Sequence, residues 1–145
     1  EMTAEEERTV GQMAAELTEH CVMANQKPAR YVRAMDVFMA IKDTYRKDGP
    51  SESEALGRFL KCQLLVIDEA HERGETGWED RMLAYIIDRR YGDMKDTLLI
   101  SNSTVAEFKV SIGTSIHSRL VETGGIIVCD WKSYRTNSQQ TGATI

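Results

Sequence analysis

The stretch Leu64-Leu65-Val66-Ile67-Asp68-Glu69 constrains the fold of this chain more than any other. Four consecutive apolar side chains do not suit a half-solvated strand, in which apolar and polar residues alternate. They suit a strand covered on both faces, the kind found in parallel sheets sandwiched between helices. The run then stops at two adjacent carboxylates. A strand-end Asp has a plain reading as a turn former or helix cap. Glu69 directly after it weakens that reading, because two like charges at a buried edge repel and need compensation.

The rest of the chain supplies the other elements of such a sheet. Residues 13–24 read as a helix with Met13, Leu17 and Cys21 on its inner face, and Asn25-Gln26-Lys27-Pro28 ends it. Residues 29–34 are short and β-prone through Tyr31 and Val32. Asp36 is placed to cap a helix carrying Val37, Phe38, Ile41 and Tyr45 inward. After the loop Lys47-Asp48-Gly49-Pro50, Ser51 or Ser53 starts a helix with Leu56, Phe59 and Leu60 on one face. Residues 63–67 form the buried strand, 74–77 a loop, and 78–90 a helix with Met82, Tyr85, Ile86 and Arg89 on neighbouring turns. A second continuous apolar strand is expected over 97–101, short helices over 105–110 and 115–122, and a last strand over 126–129 after Gly124-Gly125. Strands alternating with helices predict βαβ crossovers and a parallel sheet covered on both faces, an α/β fold of three αβα layers.

Bulk properties exclude more than they select. A chain of 145 residues with 41% apolar and 28% charged content has the make-up of one ordinary globular domain. No apolar run approaches the roughly 20 residues needed to cross a bilayer, so no membrane association is expected. Cys21, Cys62 and Cys129 are scattered, odd in number and without metal-ligand spacing, which fits reduced thiols in the cytoplasm. The net charge of −5 gives no general attraction to nucleic acid.

In a parallel sheet, ligands sit beyond the carboxyl ends of the strands. Polar residues gather there in this chain: Asp68-Glu69, then Ser101-Asn102-Ser103, then Asp130. In nucleotide hydrolases a carboxylate so placed holds the magnesium ion, and a second polarises the attacking water. Three stretches together resemble the DnaC/IstB-type AAA+ ATPases, the helicase loaders and transposase helpers. They are Leu64-Leu65-Val66-Ile67-Asp68-Glu69; Ile86-Ile87-Asp88-Arg89-Arg90-Tyr91 leading to Thr97-Leu98-Leu99-Ile100-Ser101-Asn102; and Ser118-Arg119-Leu120 with Asp130-Trp131-Lys132-Ser133-Tyr134-Arg135. The resemblance implies a P-loop NTPase core over residues 1–137, with a loose tail over 138–145. It implies ATP and Mg2+ as ligands, with Asp68 on the metal and Glu69 on the hydrolytic water. Asn102 would be sensor 1. Arg119 would be an arginine finger reaching a neighbouring subunit, which implies self-association. Arg135 would be the sensor 2 arginine contacting nucleotide in its own subunit. Guanidinium suits both positions because it makes bidentate contacts to phosphate. The implied partners are a replicative ring helicase and single-stranded DNA, or a transposase if the chain is of the IstB kind.

Two other readings stand beside it. Asp68-Glu69-Ala70-His71-Glu72-Arg73 also matches the DEAH-box helicase motif. Those helicases, however, follow it with Ser-Ala-Thr where this chain has Ser101-Asn102-Ser103. His71 is then a loop residue. The other reading is a binding module, or a fragment, that keeps the fold without nucleotide. It arises because no Gly-x-x-x-x-Gly-Lys-Ser/Thr phosphate loop occurs in the sequence. The first lysine is Lys27, and Glu5-Glu6-Glu7 precede the first helix. The resemblance places the loop's feeding strand between the sensor 1 strand and the last strand. Without it, residues 126–129 are expected to pair directly with the sensor 1 strand.

Overall fold

The computed structural model describes residues 10–72, 74 and 77–130. Its centre is a parallel sheet of three strands, β1 (Ala29–Arg33), β2 (Leu64–Asp68) and β3 (Asp96–Leu99), in that spatial order. Tyr31 stands opposite Val66, Arg33 opposite Asp68, and Ile67 opposite Leu99. Around the sheet run α1 (Val10–Met23), α2 (Ala34–Lys42), α3 (Glu52–Leu60), α4 (Trp78–Gly92) and α5 (Val105–Thr123), with one 3-10 turn at Asp43–Tyr45.

β2 is the middle strand, and its continuous apolar run is explained by what covers it. Alternate side chains of a strand point to opposite faces. Leu65 and Ile67 enter a large core with Val37, Phe38, Ile41, Phe59, Leu83, Ile86 and Ile116 from α2 to α5. Leu64 and Val66 enter a smaller core with Ala14 and Cys21 of α1 and with Ile100. The expected three layers are therefore present. Leu65, Val66 and Ile67 are fully buried, each contributing about 2 kcal/mol of apolar transfer.

Several local expectations shift by a residue or two. α1 turns Ala14 and Cys21 to the sheet and leaves Met13 and Leu17 on its outer side, because small side chains let it lie close. α2 begins at Ala34 with Arg33 at its cap, so Asp36 lies in the first turn, where its carboxylate favours the positive helix end. Ser51 caps α3 through a reciprocal box with Glu54. On α4 it is Arg90, not Arg89, that turns inward. The two expected helices after β3 join as α5, with Gly113 between them at φ 76°, ψ 164°, a conformation only glycine adopts readily.

The expected last strand is not formed. Residues 125–130 have no regular structure, and among the described residues the sheet ends at β3. Instead of pairing, the two segments line cavities between them. One of about 320 Å³ lies among Leu99 to Thr104, Val10 and residues 126–129. Another of about 750 Å³ lies among Asp96 to Leu98, Arg119, Gly124, Gly125 and Ile127. Ile127 borders both, so a groove follows β3 along its length. A strand needs a neighbour for its backbone groups, and the groove separates these two.

Candidate functional site

Because the strands are parallel, β1, β2 and β3 deliver their carboxyl ends to one edge. The ladder between β2 and β3 continues past the last regular pair. Ile100 donates its N–H to Ile67 O at 2.9 Å, and Ile100 O accepts from Ala70 N–H at 2.9 Å. A regular parallel ladder would close the second bond at Glu69. One extra residue is therefore accommodated, and Glu69 takes it up in the left-handed region at φ 52°. This is a bulge of the kind that re-aims side chains beside functional sites. Glu72 N–H closes the following turn on Glu69 O at 2.9 Å. The acid pair thus projects from a fixed turn.

The Asp68 carboxylate is held at both oxygens. Oδ1 accepts the Glu69 N–H at 2.8 Å, and Oδ2 accepts the Tyr31 hydroxyl across from β1. Burial, then the hydrogen bond to Asp68, pushes the Tyr31 phenol up to about 12. It therefore stays a proton donor throughout the physiological range.

β3 leads into the second loop of the edge. Ser101 Oγ lies 2.9 Å from Ser103 Oγ and accepts the Ser103 N–H at 3.2 Å. Thr104 then caps α5, its hydroxyl accepting the Glu107 N–H while the Glu107 carboxylate accepts the Thr104 N–H. Asn102 is exposed between them, and its own N–H points to His71 Nδ1 at 3.5 Å, the outer limit of a hydrogen bond. Asp68, Glu69 and Asn102 therefore share one edge. His71, read from the sequence as a loop residue, stands between the two loops.

Arg119 lies elsewhere. Its guanidinium bonds Asp88 at 2.7 Å and Ser115 Oγ at 2.6 Å, and stacks over the Tyr91 ring at 5.3 Å. It lines the cavity beside Asp96 to Leu98, toward the amino end of β3. Arg135, with Trp131 and Tyr134, lies outside the described residues, as does the tail over 138–145.

The donor set at the edge suits one class of metal. Among the described residues no group of three or more His, Cys, Asp or Glu converges. A caged metal with protein ligands alone is therefore not offered there. Magnesium beside a nucleotide needs less: one or two hard carboxylates, with water and phosphate oxygens for the rest. Asp68 and Glu69 fit that demand, since each held carboxylate oxygen of Asp68 keeps a free lone pair.

Sequence reasoning missed Tyr31, because its contact spans 37 positions along the chain. It also missed Arg90, which is fully buried. Arg90 Nη1 donates to Phe59 O at 2.7 Å and Cys62 O at 2.9 Å, Nη2 to Gln63 O at 3.2 Å and Asp96 O at 2.6 Å, and Nε to Thr97 Oγ1 at 2.9 Å. One guanidinium thereby joins the entries of β2 and β3 and fixes the strands that carry the site.

No family model matches the chain. Over 111 residues, 76% of its length, the chain is 30% identical to the replicative helicase loader DnaC of Escherichia coli K12 and covers 45% of that protein. It is 33% identical over 112 residues to YdaV, an uncharacterized protein of the same organism, again covering 45% of it. The chain thus spans somewhat less than half the length of these curated relatives. Among solved structures, a DnaC helicase loader superposes with a TM-score of 0.66 at 18% identity, over 77% of this chain and 66% of that one. AMPPCP-bound DnaA from Aquifex aeolicus superposes at 0.60 and 18% identity, over 83% of this chain and 37% of that one. The fold is that of AAA+ P-loop proteins. No helix among the described residues is long and apolar enough to cross a membrane.

Proposed function

The chain belongs to the DnaC-like AAA+ family, and from that premise we propose that it carries the hydrolytic half of an ATP site in a replicative helicase loader. The partners in this reading are a ring helicase and single-stranded DNA. The observation that carries it is the bulge after β2, which sets Asp68 and Glu69 beside Asn102 at the carboxyl edge of the sheet.

Each residue has a definite task in this reading. Magnesium supplies charge neutralisation at the phosphates, and Asp68 is the residue that holds it. Glu69, re-aimed by the left-handed turn, accepts a proton from water. Asn102, exposed at the same edge, orients that water against the terminal phosphate. Arg119 acts across a subunit boundary, which requires the guanidinium to leave Asp88. Arg135 contacts nucleotide in its own subunit. The groove along β3 supports the reading, because the resemblance puts the family's phosphate-loop strand beside the sensor 1 strand and the groove runs along that strand.

A second reading is a binding module of the same fold that works without nucleotide. One observation favours it: both Asp68 oxygens already have partners inside the protein. An IstB-like transposase helper shares the ATPase core, and the partner distinguishes it.

A loading reaction tests the proposal. The chain is mixed with a replicative ring helicase, ATP and circular single-stranded DNA, and helicase retained on DNA is counted. Retention is expected to rise with the chain and to fall about 100-fold or more with Glu69→Gln, the scale of losing a general base. Equal retention with and without the chain would remove the loader assignment.

A further inference from the structure

We propose that Tyr31 is the positioning residue for the Asp68 carboxylate, holding it in the orientation in which it meets a divalent cation. This inference rests on the reading of Asp68 as the metal-holding residue. Tyr31 sits on β1 opposite Val66, two residues before the level of Asp68. Its ring is partly buried and packs against the smaller core that holds Leu64 and Val66, and this contact directs the phenol. From there the hydroxyl reaches along the sheet and donates to Asp68 Oδ2.

A strand-end carboxylate rotates about its last torsion unless both oxygens are held, because that torsion is broad and two-fold. Here Oδ1 is held by the Glu69 N–H and Oδ2 by Tyr31. The two bonds fix the carboxylate plane and leave one lone pair on each oxygen at the open edge. The same carboxylate anchors the left-handed turn at Glu69, so Tyr31 steadies both acids through one contact. Hydrogen-bond partners of metal-ligating carboxylates usually set cation affinity over a range of 10- to 100-fold. Tyr31 occupies that place, and β1 of the sheet brings it there.

The experiment is a titration with Mn2+ alone, following loss of the free-ion paramagnetic resonance signal. It is run on the full chain, on Tyr31→Phe and on Asp68→Asn, with melting curves on all three. Tyr31→Phe keeps the packed ring and removes only the hydroxyl. The expected result is a half-saturating Mn2+ concentration raised about 10- to 100-fold in Tyr31→Phe, with the melting temperature within a few degrees of the unmodified chain, and a larger loss in Asp68→Asn. An unchanged Mn2+ titration in Tyr31→Phe, while Asp68→Asn loses binding, overturns the role of Tyr31 and leaves the reading of Asp68 standing. A lowered melting temperature with unchanged Mn2+ affinity also overturns it, because Tyr31 is then structural. An Asp68→Asn chain that titrates like the unmodified one overturns the metal reading itself, and the Tyr31 role with it.

Discussion

At Arg90 a single side chain serves as the joint between the strands that carry the site. Burial pushes its guanidinium below the ordinary arginine range, and hydrogen bonds to the carbonyls around it offset the cost of burying the charge. Arg90→Ala leaves the carbonyls of Phe59, Cys62, Gln63 and Asp96 without this partner. It is expected to lower unfolding stability by about 3–5 kcal/mol, read from the urea midpoint. Arg90→Lys should recover only part of this, because an ammonium has three donors in place of five. A loss under about 1 kcal/mol for Arg90→Ala would show that those carbonyls find other partners. The sequence made Asp68 and Glu69 legible because an acid pair ending a continuous apolar run has few structural uses. Arg90 was not legible: on a helix, Arg89 and Arg90 differ by 100° of rotation, and apolar periodicity does not say which arginine has carbonyls to meet. Tyr31 was hidden for a different reason, since register between β1 and β2 decides which Asp68 neighbour it reaches. Glu69 carries a backbone cost of about 1–2 kcal/mol for its left-handed turn. No pattern of residue types announces that.

At the scale of elements, α5 shows how far local chemistry determines local structure. Thr104 and Glu107 form a reciprocal box at its start, and the Thr104 N–H followed by its hydroxyl holds the Glu107 carboxyl below its ordinary value. A depressed carboxyl pKa contributes stability that is present above the unfolded value and lost as pH falls through the folded one. Thr104→Ala removes the cap oxygen of α5 and is expected to cost about 1 kcal/mol near neutrality, the usual worth of such a cap. The cost should shrink as the solution is acidified below the ordinary glutamate range, where the box is already lost. Urea melts at neutral and acid pH would check it, and an equal cost at both would mean that Glu107 takes no part. Of the two boxes only that of Ser51 was read from the sequence, although both rest on residues three apart. The break at Gly113 was legible as a boundary between two helical patterns. Residues 126–129 misled for the opposite reason. Their apolar run suits a strand, but a strand exists only with a neighbour, and β3 lies across the groove.

On the scale of the whole molecule, the two edges of the sheet differ. β1 presents exposed Arg30 and Arg33 and follows Pro28, devices that discourage further pairing. β3 presents Thr97, Leu98 and Leu99 beside an open groove, the composition of an interior strand. The layers and the carboxylate edge followed from the sequence, whereas the order β1-β2-β3 came only with the structure. The groove did not, because it depends on how far apart two non-bonded segments lie. All of the proposed chemistry converges on Asp68 and Glu69 and needs a nucleotide beside them, although the sequence contains no phosphate-loop lysine motif. Calorimetric titration of ATP with magnesium into this chain and into Asp68→Ala addresses that need. Magnesium-dependent ATP binding by the unmodified chain, weakened at least 10-fold by Asp68→Ala, is expected if the edge holds a metal-bound nucleotide. Absence of binding by both chains, or equal binding by both, would mean that the carboxylates do not serve a nucleotide here and that the fold acts as a binding module.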